Sequence, residues 1–440
     1  MFNKYLVGVL CLLISTLSVA TTSEKVVDIQ NWQTTAGTQV YFTPSTNLPM
    51  VDISLIFAAG SARDGEQSGL ANLTNNLIGE NTQGLRGDAI AEQFDKVGAQ
   101  FNTAVDKDKA SINLRSLVAE NYLNPALDTL HKVITQATFP ESTLKRVRNQ
   151  QLRALEQSQQ APEMLAENAF FQELFKGTPY AHPVLGESNS VRQLTVQQVH
   201  DFYKRYYVAN NAVLIIVGDL SKKQARQIAE QLTQGWASGK KAAPLPPIKQ
   251  RSAAFSQHIT YPAAQTHILI GQVGINMQNP DYFSLYVGNY ILGGGGLVSL
   301  LFNKIREQQG LSYSIHSAWQ PLAANGPFLI SLQTRTAQAQ QAISSTQQVI
   351  NDFIKQGPTA EQLKAAQQNL IGGFALGLDS NRDIVNNLSL IAFYGLPLNY
   401  LDTVRANIQA LTPRTIQEAF QKHVNPQTLS TITVGKTDEQ

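Results

Sequence analysis

The sequence predicts an α+β protein of two tandem homologous domains, each an α/β sandwich in which helices pack an antiparallel-rich sheet. Three observations predict it. The chain repeats itself once at a constant offset: Leu194, Val199, Tyr203 and Gly218 recur as Leu411, Ile416, Phe420 and Gly435, 217 residues on in every case. Between the halves lies Gly-Lys-Lys-Ala-Ala-Pro-Leu-Pro-Pro-Ile at 239–248, a Pro-rich stretch that reads as a semi-rigid linker. Within each half, strands and helices come in runs rather than in strict alternation, which argues against a doubly wound sheet. The expected boundaries are 25–238 for the first domain, 239–252 for the linker and 253–440 for the second domain.

Composition narrows the class. The chain has 440 residues, 43% hydrophobic and 15% charged, so it buries enough apolar surface to exclude long disorder. Its 34 Lys and Arg against 32 Asp and Glu give a formal charge of +2. That balance leaves no electrostatic footprint for nucleic acid or for a membrane surface. The one cysteine, Cys11, excludes a disulfide scaffold and a cysteine-based zinc site.

The first twenty residues read as an address. Lys4 is a basic start, 6–17 is an apolar run, and Ser18-Val19-Ala20 is a small-residue exit. That is the pattern of a cleaved secretory signal peptide. A run of that length is well short of the roughly 20 residues that span a bilayer. Cys11 is a poor lipoprotein site, because Leu10 stands before it where a small residue is wanted. The expected mature protein is exported, with a periplasm as its compartment and no membrane association after cleavage.

The elements follow in order. Residues 52–58 and 266–271 read as matching strands, each followed by polar residues and a long helix. Helices are expected over 121–137, 141–157, 164–175 and 337–356, the third behind Pro162, a good first-turn residue. Apolar runs at 212–217 and 429–434 read as the closing strands of the two halves.

The segment Gly60-Ser-Ala-Arg-Asp-Gly-Glu-Gln-Ser-Gly-Leu-Ala-Asn-Leu-Thr-Asn-Asn-Leu77 resembles the opening of the pitrilysin/insulinase family of zinc peptidases, the inverzincins. Active members carry His-x-x-Glu-His on a helix there, two zinc ligands on one face with a general base between them. This chain has Asn72, Asn75 and Asn76 at those three positions. An amide is a weak zinc ligand beside imidazole or carboxylate and takes no proton from water near neutral pH. The family's distal Glu ligand falls on Ala154, or on Glu156 if the register slips by two. His131, His182, His200, His258, His267, His316 and His423 never recur at helical ligand spacing, so no substitute site is legible.

The second half resembles the family's other signature. Gly293-Gly294-Gly295-Gly296 reads as a loop leading into a helix that ends near Arg306, with Tyr313 seven residues on. The resemblance implies that this Arg/Tyr pair faces a zinc site across a clamshell, of which this chain is half. A Tyr hydroxyl can donate to the oxyanion of a tetrahedral intermediate, and an Arg fork can hold that oxygen or the peptide backbone. Without the surrounding pattern, Arg306 would read as a helix C-terminal charge and Tyr313 as a core strand residue. Asn102-Thr103-Ala104 resembles the family's edge strand, which binds an extended peptide by β-augmentation.

Two functions follow from the resemblance. In the first, this chain is the non-metal-binding subunit of a heterodimeric peptidase. Arg306 and Tyr313 then act with a homologous partner that holds the zinc and the base, on peptides unfolded enough to enter. In the second, it is an inactive scaffold or peptide-binding protein. An active zinc peptidase on its own would need Asn72, Asn75 and Asn76 in roles their chemistry does not support.

Overall fold

A computed structural model describes residues 25–437. The expected signal segment 1–20, with Cys11, lies outside the described residues. Two sheets form. The first contains β1 (Gln30–Gln33), β2 (Gln39–Pro44), β3 (Met50–Phe57), β4 (Gln100–Val105), β5 (Ala110–Leu117) and β6 (Ala212–Gly218), in the order β1-β2-β6-β3-β5-β4. The second contains β7 (Ser256–Thr260), β8 (Thr266–Val273), β9 (Ile315–Trp319), β10 (Pro327–Thr334) and β11 (Ser430–Gly435), in the order β7-β11-β8-β10-β9. Set β1 aside and the two orders are the same. Even the parallel pairs match, β2 with β6 and β7 with β11, while the other pairs run antiparallel.

The first half carries α1 (Leu70–Leu77), α2 (Gly87–Asp95), α3 (Glu120–Thr135), α4 (Glu141–Ser158), α5 (Pro162–Leu174), α6 (Ser188–Gln193), α7 (Val196–Tyr206) and α8 (Lys222–Thr233). The second carries α9 (Tyr282–Asn289), α10 (Ala339–Gln356), α11 (Ala360–Phe374), α12 (Asn381–Tyr394), α13 (Tyr400–Gln409) and α14 (Pro413–His423). The repeat reaches the caps. Thr195 closes a capping box with Gln198 on α7, and Thr412 closes one with Thr415 on α14, each pair 217 residues apart.

The long helix expected after β3 is only the eight-residue α1. Its last turn gives way to extended backbone at Ile78 and to Gly79 at φ +87°, a left-handed conformation that ends the helix. The glycine run also departs from expectation. Gly293 and Gly294 are not a loop before a helix but the end of a π-helical continuation of α9, Tyr290–Gly294. A Cβ on Gly293 would stand 2.4 Å from Ser317 Oγ, so the absence of a side chain lets this turn sit directly on β9.

Each sheet has one face in its own domain's core. Phe42, Ile53, Leu55 and Leu214 pack with α1, α3, α7 and α8, while Ile268, Ile270, Phe328 and Ile330 pack with α9, α10 and α14. The other faces are covered reciprocally. Helix α5 of the first half lies on β8 and β11, its Phe170, Phe171 and Leu174 packed on Leu269, Leu329, Ile432 and Val434. Helix α12 of the second half lies on β3 and β6, with Val385 and Leu388 on Ile56, Ile215 and Val217. The connector is pinned as well: Ile248 is buried in the α5 cluster and its carbonyl accepts from Asn325 Nδ2 at 3.0 Å.

Exchanged helices make each half a part of the other's core. Heat should therefore unfold the chain in one transition. Phe170→Ala, a truncation at a fully buried ring on the first half's helix, should cost about 3–5 kcal/mol. Calorimetry checks it. Two separate endotherms, with only one moved by the substitution, would show the halves to be thermodynamically independent.

Candidate functional site

The glycine at 69, φ +95°, precedes α1, and Asp64 caps the helix through both oxygens. Gly69 N–H and Ala71 N–H each donate to the carboxylate at 2.7 Å. The side chain is fully enclosed. Burial pushes the Asp64 carboxyl up to about 7, against the opposing pull of the two amides and of Lys107. A raised folded-state pKa means that Asp64's contribution to stability is present below about pH 4 and is lost as pH rises towards 7. Asp64→Asn, neutral throughout, should therefore destabilise more at pH 5 than at pH 8. The deficit should shrink by roughly 3 kcal/mol at pH 8, at 1.36 kcal/mol per pKa unit. Urea unfolding at both pH values measures it, and a deficit that grows with pH would reverse the assignment.

The three asparagines of α1 divide between two sides of the helix. Asn72 and Asn76, one turn apart, satisfy each other: Asn76 Nδ2 donates to Asn72 Oδ1 at 2.9 Å. Asn75 is fully buried and donates to Tyr207 Oη at 3.1 Å. Ala154 on α4 is half-buried and Glu156 is exposed, so the expected distal position carries no enclosed carboxylate. The α4 side chain that does reach α1 is Gln151, whose Nε2 donates to the carbonyls of Gly69 and Leu185 at 3.1 and 2.8 Å. These residues do not fit a zinc ion. Two paired amides offer neither anionic nor imidazole donors, and among the described residues no three His, Cys, Asp or Glu are grouped to hold a metal.

Arg306 and Tyr313 do come together. Arg306 lies in the π-helical segment Phe302–Gln308, and its guanidinium stacks 4.5 Å from the Phe302 ring centre and 4.8 Å from that of Tyr313. Tyr313 is 73% exposed just before β9, so it is not a core strand residue. The nearest carboxylate, Glu307, is a loose partner at 3.7 Å from Arg306 Nε. The asparagines and the Arg/Tyr pair lie in different domains, and no hydrogen bond or ion pair among the described residues joins them.

Asn102, Thr103 and Ala104 are on β4, the outer strand of the first sheet, whose far edge is unpaired. Asn102 Oδ1 accepts from Asn113 Nδ2 at 3.0 Å. A polar pocket of about 320 Å³ opens beside it, between β3, β4, β5 and the N-terminal turns of α12. A second pocket, about 110 Å³, lies between the second sheet and α5, with Glu163, Glu167, His267 and His316 on its walls. Neither pocket is legible in the sequence, because each is closed by a helix from the other half.

A third feature was also hidden. Asp108, in the β4–β5 turn, accepts from Tyr180 Oη, from Tyr394 Oη at 3.0 Å and from Ala323 N–H at 2.8 Å. It thereby ties the first domain to α12 and to the β9–β10 loop of the second. Burial raises its pKa.

Two duplicated sandwiches with exchanged helices, and a glycine turn before an Arg/Tyr pair, define the fold of a zinc-peptidase family, with asparagines at the three motif positions of α1. Residues 40–188 match the model described as insulinase, peptidase family M16, and residues 193–370 match the model described as peptidase M16 inactive domain. The chain belongs to peptidase family M16. It is similar to the crystal structure of a peptidase M16 inactive domain from Pseudomonas fluorescens, at 37% identity and a TM-score of 0.90, over 93% of this chain and 98% of that one. The non-peptidase homolog YmxG of Helicobacter pylori is 27% identical over 92% of this chain and 94% of its own length. An uncharacterized zinc protease, YmxG of Bacillus subtilis, is 23% identical over 78% of this chain and 83% of its own.

Proposed function

We propose that this chain is the non-metal-binding subunit of a heterodimeric, periplasmic zinc metallopeptidase. The observation that carries the reading is an asymmetry. The metal positions hold Asn72, Asn75 and Asn76, while Arg306 and Tyr313 stay stacked and presented at the surface. A chain kept only as a scaffold has no use for an exposed Arg/Tyr pair. The relatives' printed names, a non-peptidase homolog and an inactive domain, support inactivity of the chain alone.

In this reading a homologous partner supplies zinc and the general base. This chain contributes three things. The free edge of β4 aligns an extended peptide by main-chain hydrogen bonds. The Arg306 fork holds the peptide carbonyl. The Tyr313 hydroxyl donates to that oxygen as negative charge develops on it.

Native mass spectrometry of the protein, taken gently from its own cell compartment, tests the reading. A 1:1 complex with a chain of similar mass carrying one zinc is expected. A zinc-free monomer or homodimer would move the function to a scaffold or binding role, and zinc held by this chain alone would overturn the reading of the asparagines.

A further inference from the structure

The duplication has produced two pockets of one architecture and opposite charge. We infer that the first is the side-chain pocket of a strand-docking site that selects a carboxylate-bearing residue in an extended peptide. The inference rests on the reading that the chain binds extended peptides, and it adds which ones.

The two pockets correspond wall by wall. Helix α12 lines the first with Arg382, Val385 and Asn386, and α5 lines the second with Glu163, Ala166 and Glu167, at the same spacing. Asp52 lies opposite Val217 on β6, and His267 lies opposite Val434 on β11, the residue 217 positions on. Asn102 lies opposite Asn113, and His316 lies opposite Ser331. One design thus holds two acids and two imidazoles on one side of the repeat, and amides, two arginines and one acid, Asp52, on the other.

The charge of the first pocket is set by Arg382. Asp52 and Arg115 neutralise each other, with Arg115 Nε donating to Asp52 Oδ1 at 2.8 Å. Arg382 has no ion pair among the described residues, which leaves the walls with one net positive charge. Asn102 adds a donor: its Oδ1 is occupied by Asn113, and its amide nitrogen is free for an acceptor.

Access comes from the strand edge. Side chains alternate along β4, and Gln100 and Asn102 line this pocket. A peptide strand added at the open edge continues the same alternation and sets every second side chain over the same pocket. An Asp or Glu there meets the Arg382 guanidinium in a charge-assisted hydrogen bond. A Lys meets a like charge.

Three end-blocked decapeptides test this: alternating Thr-Glu, Thr-Gln and Thr-Lys, with binding to the purified chain followed by fluorescence anisotropy. Alternation puts all five variable side chains on one face, so every register of one phase presents a variable side chain to the pocket and only a one-residue slip presents threonine. The Glu peptide should bind about tenfold tighter than the Lys peptide, the size of one charge-assisted hydrogen bond at a half-open site. The preference should vanish in Arg382→Ala and invert in Arg382→Glu, and it should survive in Arg226→Ala, an arginine stacked on Trp32 elsewhere in the first domain. A Glu preference that persists in Arg382→Ala would overturn the pocket. Equal binding of all three peptides would overturn the selectivity but leave peptide binding standing. Binding of none would overturn both.

Discussion

Tyr313→Phe, in the proposed complex of this chain with a zinc-carrying partner, should lower peptide turnover by about 10²–10³-fold, the range for loss of one oxyanion donor. Arg306→Ala should do the same, and neither should prevent assembly. The ring of Tyr313 is what stacks against Arg306, and phenylalanine keeps that ring. Only the hydroxyl is removed, at a position 73% exposed, so folding is unaffected. The loss should fall on kcat, because in the proposed role the hydroxyl acts on charge that exists only in the transition state. In the same proposed role Arg306 also holds ground-state substrate, so Arg306→Ala should raise KM as well. Arg306→Lys keeps the charge but not the planar fork, and should fall between wild type and alanine. Steady-state kinetics on an unfolded peptide measure all three. Unchanged turnover in both Tyr313→Phe and Arg306→Ala would remove the pair from the chemistry and leave the chain as a scaffold.

Much of the fold was written in the sequence, because its signals are local or periodic. The 217-residue offset survives in capping boxes and closing strands, and the Arg306–Tyr313 spacing carries its own context. What could not be read was long-range. Helix α5 is apolar around most of its circumference, with Leu165, Ala166, Ala169, Phe170, Phe171 and Leu174, which marks a helix buried on several sides. Nothing local says that one of those sides belongs to the other half's sheet. The glycine run shows a different limit. Four glycines suggest a loop by propensity, yet the first two are π-helical, and at Gly293 the hydroxyl of Ser317 leaves no room for a side chain. The pockets, and Arg382 with them, exist only after the helices have exchanged.

The β4–β5 turn shows this most sharply and carries the second large effect. Asp106-Lys107-Asp108-Lys109 reads as a charged, solvated turn, but Asp108 is only 3% exposed. Its carboxylate collects three donors from three separate pieces of chain: Tyr180, Tyr394 and the Ala323 amide. Lys107 beside it donates to the carbonyls of Tyr180 and His182 at 3.2 and 3.1 Å, which fixes the segment that presents Tyr180. Removing the acceptor strands three donors at the junction of the two domains, so Asp108→Ala should destabilise by about 3–5 kcal/mol. Asp108→Asn keeps one carbonyl oxygen and should cost roughly half as much, since a tyrosine hydroxyl can turn to accept from the new amide. Tyr394→Phe removes a single hydroxyl and should cost about 1 kcal/mol in the wild type. In Asp108→Ala the same change should cost almost nothing, because its partner is already gone. Urea unfolding of the four chains closes that cycle. A coupling near zero would mean that Tyr394 and Asp108 do not act together, and that this hydrogen bond adds nothing to the hold of α12 on the first domain.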